Sequence, residues 1–236
     1  MISFIIPAHD EACEIGGTLD ALQAAAGALR LEHEIVVVAD ACSDDTAAIA
    51  RQRGARVLVV DHRHIAATRN SGARHATGAC LVFVDADTCV DAALLGAAIA
   101  AWHDGAVGGG AAVRLSGATT AYQRVAMRLL GWAFRRTGIA PGCFIFCTRA
   151  AFDAAGGFDE RYFAGEDVAI SRALARQGRF VILRTSVSTS ARKLRTFTVR
   201  EHVRLLWQFA LRGRRVLHTR AHLQLWYAGR RHDGPR

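Results

Sequence analysis

A mostly parallel α/β sheet, covered by helices on both faces, is the fold this sequence predicts. Three observations point to it. Short β-rich apolar runs alternate with helical patterns from Ile2 to Trp102. The strand runs are continuously apolar rather than alternating, which is how strands buried on both faces read. Half of the 236 residues are apolar and only three are Pro. That suits one domain with a short appendage and argues against a disordered or fibrous chain.

Taken in order, Ile2–Ile6 reads as a strand. Cys13–Leu29 reads as a helix with Ile15, Leu19, Leu22 and Ala26 on one stripe. Ile35–Val38 is a second strand. Asp44–Arg53 is a helix that Gly54 ends as a C-cap. Val57–Val60 is a third strand, Ile65–Ala76 a helix, Cys80–Val84 a fourth strand and Asp91–Trp102 a helix. The pattern then changes. Ala106–Val113 reads as a strand with three successive glycines, Tyr122–Phe134 as an amphipathic helix and Cys143–Cys147 as a strand. Glu166–Gln177 reads as a helix, Phe180–Leu183 and Val187–Thr189 as short strands, and Val199–Leu211 as a helix.

The formal net charge is +9, and its location matters more than its size. Residues 192–236 hold twelve of the 30 basic residues and two of the 21 acidic ones, so the body is nearly neutral and the tail carries the excess. A tail of this kind is either a solvated basic segment or a patch for an anionic partner. Thr137–Thr148, twelve residues, is as long as any stretch free of Asp, Glu, Lys and Arg. A bilayer needs about 20. The opening MISFIIPAHDEACE has no basic n-region and turns acidic, so no signal peptide is expected. The six cysteines form no CxxC pair. They read as buried or half-buried reduced thiols, and a cytoplasmic location follows as the expectation.

In open α/β sheets, ligands bind beyond the carboxyl ends of the strands. Asp40, Asp85 and Asp87 stand at such ends. Asp85 and Asp87 are one residue apart after an apolar strand. They are oxygen ligands of the kind that hold Mg²⁺ or Mn²⁺ against substrate phosphates. The alternative is that Asp87 or Thr88 caps the helix starting near Asp91. Asp40 can accept from a base N–H or a ribose hydroxyl, and Asp44 and Asp45 suit helix capping. Gly156-Gly157-Phe158-Asp159-Glu160 reads as a tight turn approaching a ligand. Glu166 and Asp167 open a helix, where the dipole favours a carboxylate and a cleft would make it a general base.

In sequence order these segments resemble family 2 glycosyltransferases of the GT-A fold. Phe4–Glu11 is similar to that family's opening "P-A-x-N-E" block, and Ala39–Thr46 to its "D-D-G-S-x-D-x-T" segment. Ala67–Gly72 is similar to "A-x-R-N-x-G" and Phe83–Asp87 to "F-x-D-A-D". Residues 142–167 are similar to the acceptor-side block ending in "E-D", and Thr189–Lys193 to a later "T-S-x-R-R". The resemblance covers residues 2–195. Ala39, Asp10 and Ala41 stand where the pattern has Asp, Asn and Gly.

The resemblance implies a Rossmann-like GT-A domain over 1–195, with a nucleotide-sugar half (1–104), an acceptor half (105–195) and a basic helical tail (196–236). Pro7, Ala8, Glu11 and Asp40 would line the base and ribose site, and Arg69 and Gly72 would shape it. Asp85 would face ribose and metal, and Asp87 would bind Mg²⁺ or Mn²⁺. Arg192 would approach the diphosphate, where a guanidinium forks onto phosphate oxygens. Asp167 would be the base, with Gly157 and Glu166 on the acceptor side. The implied reaction moves a sugar, with inversion, from a nucleotide-sugar donor, UDP first, to a hydroxyl on a glycan, a lipid-linked or a small acceptor. The tail would lie on an anionic membrane surface, making the protein peripheral there, or pack on the domain. Nucleic acid is not an expected partner. The rival readings are a nucleotidyltransferase, whose phosphate loop is missing from Pro7–Glu11, and a non-catalytic nucleotide or anionic-surface binding protein.

Overall fold

The computed structural model describes residues 1–116 and 131–190. The elements run β1 (Ile2–Ala8), α1 (Ile15–Ala28), β2 (His33–Asp40), α2 (Thr46–Gln52), β3 (Arg56–Val60), α3 (Ile65–His75), β4 (Cys80–Val84), β5 (Thr88–Cys89) and α4 (Ala92–His103). They continue as β6 (Gly108–Ser116), β7 (Phe144–Thr148), α5 (Arg149–Ala155), α6 (Glu166–Ala175) and β8 (Phe180–Ser190). Residues 131–137 are helical, in line with the end of the helix expected at Tyr122–Phe134. The rest of that helix, the Val199–Leu211 helix and the tail lie outside the described residues. No helix among the described residues is long and apolar enough to cross a membrane.

All eight strands form one sheet in the order β3-β2-β1-β4-β7-β6-β8-β5. Strands β3, β2, β1 and β4 are parallel to one another, β7 is antiparallel to both β4 and β6, and β6 is parallel to β8. Successive side chains of a strand face opposite sides of a sheet. Phe4, Ile6, Val37 and Val82 therefore fill one core with α1 and α4. Ile5, Val36, Val38, Leu81 and Phe83 fill the other, with Phe152, Phe158 and Ile170. The apolar runs of β1, β2 and β4 are thus buried on both faces, whereas the edge strand β3 is not: Val59 is 67% exposed.

Pro7 has no N–H to give a ladder. The β1–β4 pairing stops at Ile5↔Phe83, so the proline falls beyond it while pairing with Val38 continues on the other side. Gly72 lies where α3 crosses the sheet. A Cβ there would run into Ile5 Cγ2 and stand 3.0 Å from Val38 Cγ2. Gly72 serves helix-to-sheet approach.

Three features differ from the sequence expectation. The two short strands at 180–189 are one strand, β8, with a register shift where Ala111 pairs Leu183 and Ala112 pairs Ser186. The polar Arg184-Thr185 step that split the apolar pattern is that bulge. Helix α5 is additional. The Thr148 hydroxyl caps it by accepting from Ala151 N–H at 3.1 Å, and Gly156 ends it at φ 78°. The two-residue β5 is also additional, and pairs only with β8 among the described residues. All six cysteines are free, as expected, but Cys13 and Cys89 are exposed rather than buried or half-buried.

Candidate functional site

The carboxyl ends of β1, β2 and β4 open on the same edge of the sheet, and β7 starts there too, with Phe144 opposite Val84. The motifs converge on this edge.

Asp40, at the end of β2, is 5% exposed and fully engaged. Its Oδ1 accepts from His62 and Arg63 N–H at 2.7 and 2.8 Å, and its Oδ2 from His64 N–H and the Thr68 hydroxyl at 3.1 and 2.7 Å. A carboxylate has about four lone-pair sites. The four donors fill them, so in this arrangement a base or ribose finds no acceptor on Asp40. That differs from the ligand contact expected for it. Asp40 fastens residues 62–64 and the start of α3 to the sheet.

Asp10 has a similar task. Its Oδ1 accepts from the Ser43 hydroxyl at 3.0 Å and from Asp44 N–H at 3.3 Å. Asp44 in turn accepts from Ala12 and Thr46 N–H, each at 3.0 Å, so it ties the loop as well as the entry to α2. Asp45 is the N-cap residue of α2 but makes no side-chain cap bond. Glu11 is 9% exposed and its N–H donates to the Thr46 hydroxyl at 2.7 Å. Ala41 sits at φ 51°, in the left-handed region where the family pattern has Gly. A Cβ there costs on the order of 1–2 kcal/mol. One grouping has no CxxC-type signal in the sequence: ligand atoms of Asp10, Cys42 and Asp44 lie within 4.8 Å of one another.

Asp91, not Asp87, caps α4: its side chain accepts from Leu94 N–H at 2.7 Å. The capping alternative for Asp87 is thereby answered. Asp87 is 8% exposed, and the Thr88 and Thr189 hydroxyls approach its Oδ1 at 3.5 and 3.4 Å. Asp85 follows β4, and its N–H donates to Cys143 O at 3.2 Å. Its side chain is 25% exposed. The donor chemistry fits Mg²⁺ or Mn²⁺, since two carboxylates offer hard oxygens and leave most of the coordination shell to phosphate and water.

The centre of the site is Arg69, one turn into α3. Its guanidinium is 3% exposed. One NH2 group donates to Asp85 Oδ1 and to Gly142 O, both at 2.9 Å, and the other to Glu166 Oε1 at 2.8 Å. Its plane lies over the Phe158 ring, 5.2 Å from the centroid. Arg69 thus joins the strand end carrying Asp85 to the helix start carrying Glu166. The carboxylates around it hold its charge firmly in place. Glu166, expected on the acceptor side, turns inward to this arginine and is buried. Its neighbour Asp167 is partly exposed. Asp167 Oδ2 accepts from Gly142 N–H at 3.1 Å and its Oδ1 from Val168 N–H at 2.8 Å. Burial raises the Asp167 pKa above the ordinary 3.8, with Asp85 adding to the rise, against the backbone donors and Arg69.

Asn70 does for the turn after α5 what Arg69 does for the carboxylates. Its Nδ2 donates to Phe158 O at 2.8 Å and Glu160 Oε1 at 2.9 Å, and its Oδ1 accepts from Phe158 N–H at 2.9 Å. Gly157 lies beneath it at φ 74°, where a Cβ would stand 2.8 Å from Asn70 Oδ1. Arg192 lies outside the described residues.

His64 caps α3 through its ring. Nδ1 accepts from Ala67 N–H at 3.4 Å, so the neutral ring carries its proton on Nε2, which is buried without a hydrogen-bond partner. Burial lowers its pKa below 6.5, against the opposing pull of Glu160 and Asp40. As pH falls through 6.5 the unfolded chain takes up a proton before the folded one does. Stability is then lost progressively down to the lowered folded value. Thermal melts between about pH 7 and 5 should fall more steeply for wild type than for His64→Asn, which keeps a capping oxygen. Parallel curves would count against the capping role.

The model for the family described as Glycosyl transferase family 2 matches residues 3–154. Comparison with curated protein sequences gave no match. Among solved structures, residues 1–349 of S. aureus TarS align with a TM-score of 0.63 at 20% identity, over 87% of this chain and 63% of that one. The mannosyltransferase PcManGT from Pyrobaculum calidifontis, in complex with GDP-Man and Mn²⁺, gives 0.67 at 20% over 92% and 62%. Glucosyl-3-phosphoglycerate synthase from Mycobacterium tuberculosis, in complex with Mn²⁺, UDP and glucosyl-3-phosphoglycerate, gives 0.60 at 16% over 92% and 80%. The chain spans about three fifths of the length of the first two. These likenesses agree with the GT-A architecture. Because the matched stretch runs from β1 almost to the end of α5, well over half of the sequence, the chain belongs to glycosyl transferase family 2.

Proposed function

We propose that the chain transfers a sugar from a nucleoside diphosphate donor, UDP-linked first, to an acceptor hydroxyl, with inversion at the anomeric carbon. One observation carries this reading. Gly142 is shared by both sides of the site: its N–H holds Asp167 and its carbonyl takes the arginine that holds Asp85. A carboxylate suited to a metal and a carboxylate suited to a base thus sit around one guanidinium.

Asp85 and Asp87 would hold Mg²⁺ or Mn²⁺, which when bound neutralises the charge growing on the departing diphosphate. Pro7, Ala8 and Glu11 would form the base and ribose site. Asp40, its lone pairs taken, would set that site's floor through residues 62–64. Arg192 would add a guanidinium at the diphosphate. Asp167, held by two backbone N–H groups, would take the proton from the acceptor hydroxyl as that oxygen attacks. A single base facing the leaving group gives one in-line displacement, and so inversion. Gly157 and the turn that Asn70 clamps would border the acceptor.

The test is a thermal-shift panel of UDP and GDP with and without Mn²⁺, on wild type and Asp87→Ala. A ligand at 100 times its Kd should stabilise the native state by about 2.7 kcal/mol. A metal-dependent shift with UDP, lost in Asp87→Ala, is the expected result. A GDP-only shift would replace the donor, and no shift with either nucleotide would remove the reading.

A further inference from the structure

We propose that the face bearing Trp132, Arg135 and Arg136 docks the chain on an anionic lipid surface, so that the acceptor hydroxyl is carried by a molecule anchored in that surface. The inference rests on the sugar-transfer reading for its acceptor, but the docking stands on different observations.

The helical residues 131–137 are fixed at both ends. Gly131 is buried and lies against Ala112 of β6, and just past the helix Ala140 N–H donates to the Ser171 hydroxyl of α6 at 3.0 Å. The stretch so fixed turns an unusual set of side chains outward. Trp132 is 58% exposed, the largest exposed apolar side chain among the described residues. Arg136 stacks over its ring at 5.7 Å, and Arg135 is exposed beside them. Tryptophan partnered by arginine is the composition that settles at a bilayer's headgroup level, where the ring is half in apolar surroundings and the cation meets lipid phosphates.

The position of this face argues for the acceptor. Five residues separate Arg136 from Gly142, whose N–H holds Asp167. At the end of β8, Ser190 pairs with Ser116 of β6, and Thr189 touches Asp87. In sequence, residues 192–236 hold twelve Arg and Lys against two acidic residues, a composition that also matches a negative surface. Each basic side chain near an anionic leaflet contributes about 1 kcal/mol. A lipid surface met by Trp132, Arg135 and Arg136 would thus lie a short stretch of chain from Gly142, the partner of Asp167.

The experiment is flotation of the full chain with vesicles of phosphatidylcholine alone, and with vesicles of equal parts phosphatidylcholine and phosphatidylglycerol. It uses wild type and the variant Trp132→Ala/Arg135→Glu/Arg136→Glu. Wild type should float with the anionic vesicles only, and added salt should release it. The variant should partition on the order of tenfold less or weaker. It should still show the wild-type thermal shift with UDP and Mn²⁺, which separates a failure of docking from a failure of the sugar-transfer reading. Equal flotation of variant and wild type would overturn the proposal. So would wild type that ignores anionic vesicles, binds both vesicle types alike, or leaves them for a single-stranded RNA oligonucleotide added at equal salt.

Discussion

Asp167→Asn is expected to lower sugar transfer by about 10²–10⁴-fold, the usual contribution of a positioned general base. Metal-dependent nucleotide binding should stay at the wild-type level, because the role proposed for Asp167 is on the acceptor. The amide retains one oxygen for the two backbone donors, Gly142 N–H and Val168 N–H, so the helix start keeps part of its support. The wild-type pH profile carries the second half of the expectation. The carboxylate must be ionised to accept a proton, and burial raises its pKa above 3.8. The acid limb of kcat should therefore lie above the range of an exposed aspartate and vanish in the variant's residual activity. A variant retaining more than a tenth of the wild-type rate would remove Asp167 from the base role.

Arg69→Met should cost far more in stability. The substitution removes the cation that, among the described residues, pairs with Asp85 and Glu166, and takes away the Arg69 donor to the Gly142 carbonyl. Breaking a buried ion pair from one side typically costs about 3–5 kcal/mol, because the partner charge is stranded. In a chain of this length each kcal/mol lowers Tm by roughly 2–4 °C, so a fall of about 6–20 °C is expected. Glu166→Gln in the same chain should restore part of the loss, since it removes one stranded charge. The double variant should then be more stable than the sum of the single effects predicts. Additive losses would show that Arg69 and Glu166 do not act as a pair.

Most of the architecture was legible because each strand from β1 to β4 is a continuous apolar run, and each of helices α1 to α4 has a stripe or a stop signal. Helix α5 had legible signals, Thr148 ahead of it and Gly156 behind, but at seven residues it is too short to show a period. Strand β5 has two residues, and no pattern can mark it. The site divides in the same way. Positions at strand ends follow from topology, so the places of Asp40, Asp85 and Asp87 at such ends were legible. What each carboxylate does depends on donors brought from far along the chain. The saturation of Asp40 by residues 62–68 and the turning of Glu166 onto Arg69 are tertiary facts. The motif Arg69-Asn70 was readable as a string. Its function as a joint between distant segments was not, because both partners lie about 70–100 residues away in sequence.

That joint, together with β7, bears on how such a chain can diversify. Strand β4 has β1 on one side and β7 on the other, so the sheet runs unbroken from the first hundred residues into the later ones. A fragment ending at residue 104 would bare the β4 edge and uncover Phe83, which packs on Phe152 and Phe158. It would also take Gly142 and Glu166 from the Arg69 guanidinium, leaving it Asp85, and take Phe158 and Glu160 from the Asn70 amide. The portions before and after residue 104 are not interchangeable modules. Exchange of halves between relatives would break the sheet, the aromatic cluster and the arginine centre together. New specificities would have to arise by rewriting the turns at the sheet's edge, over a frame inherited whole.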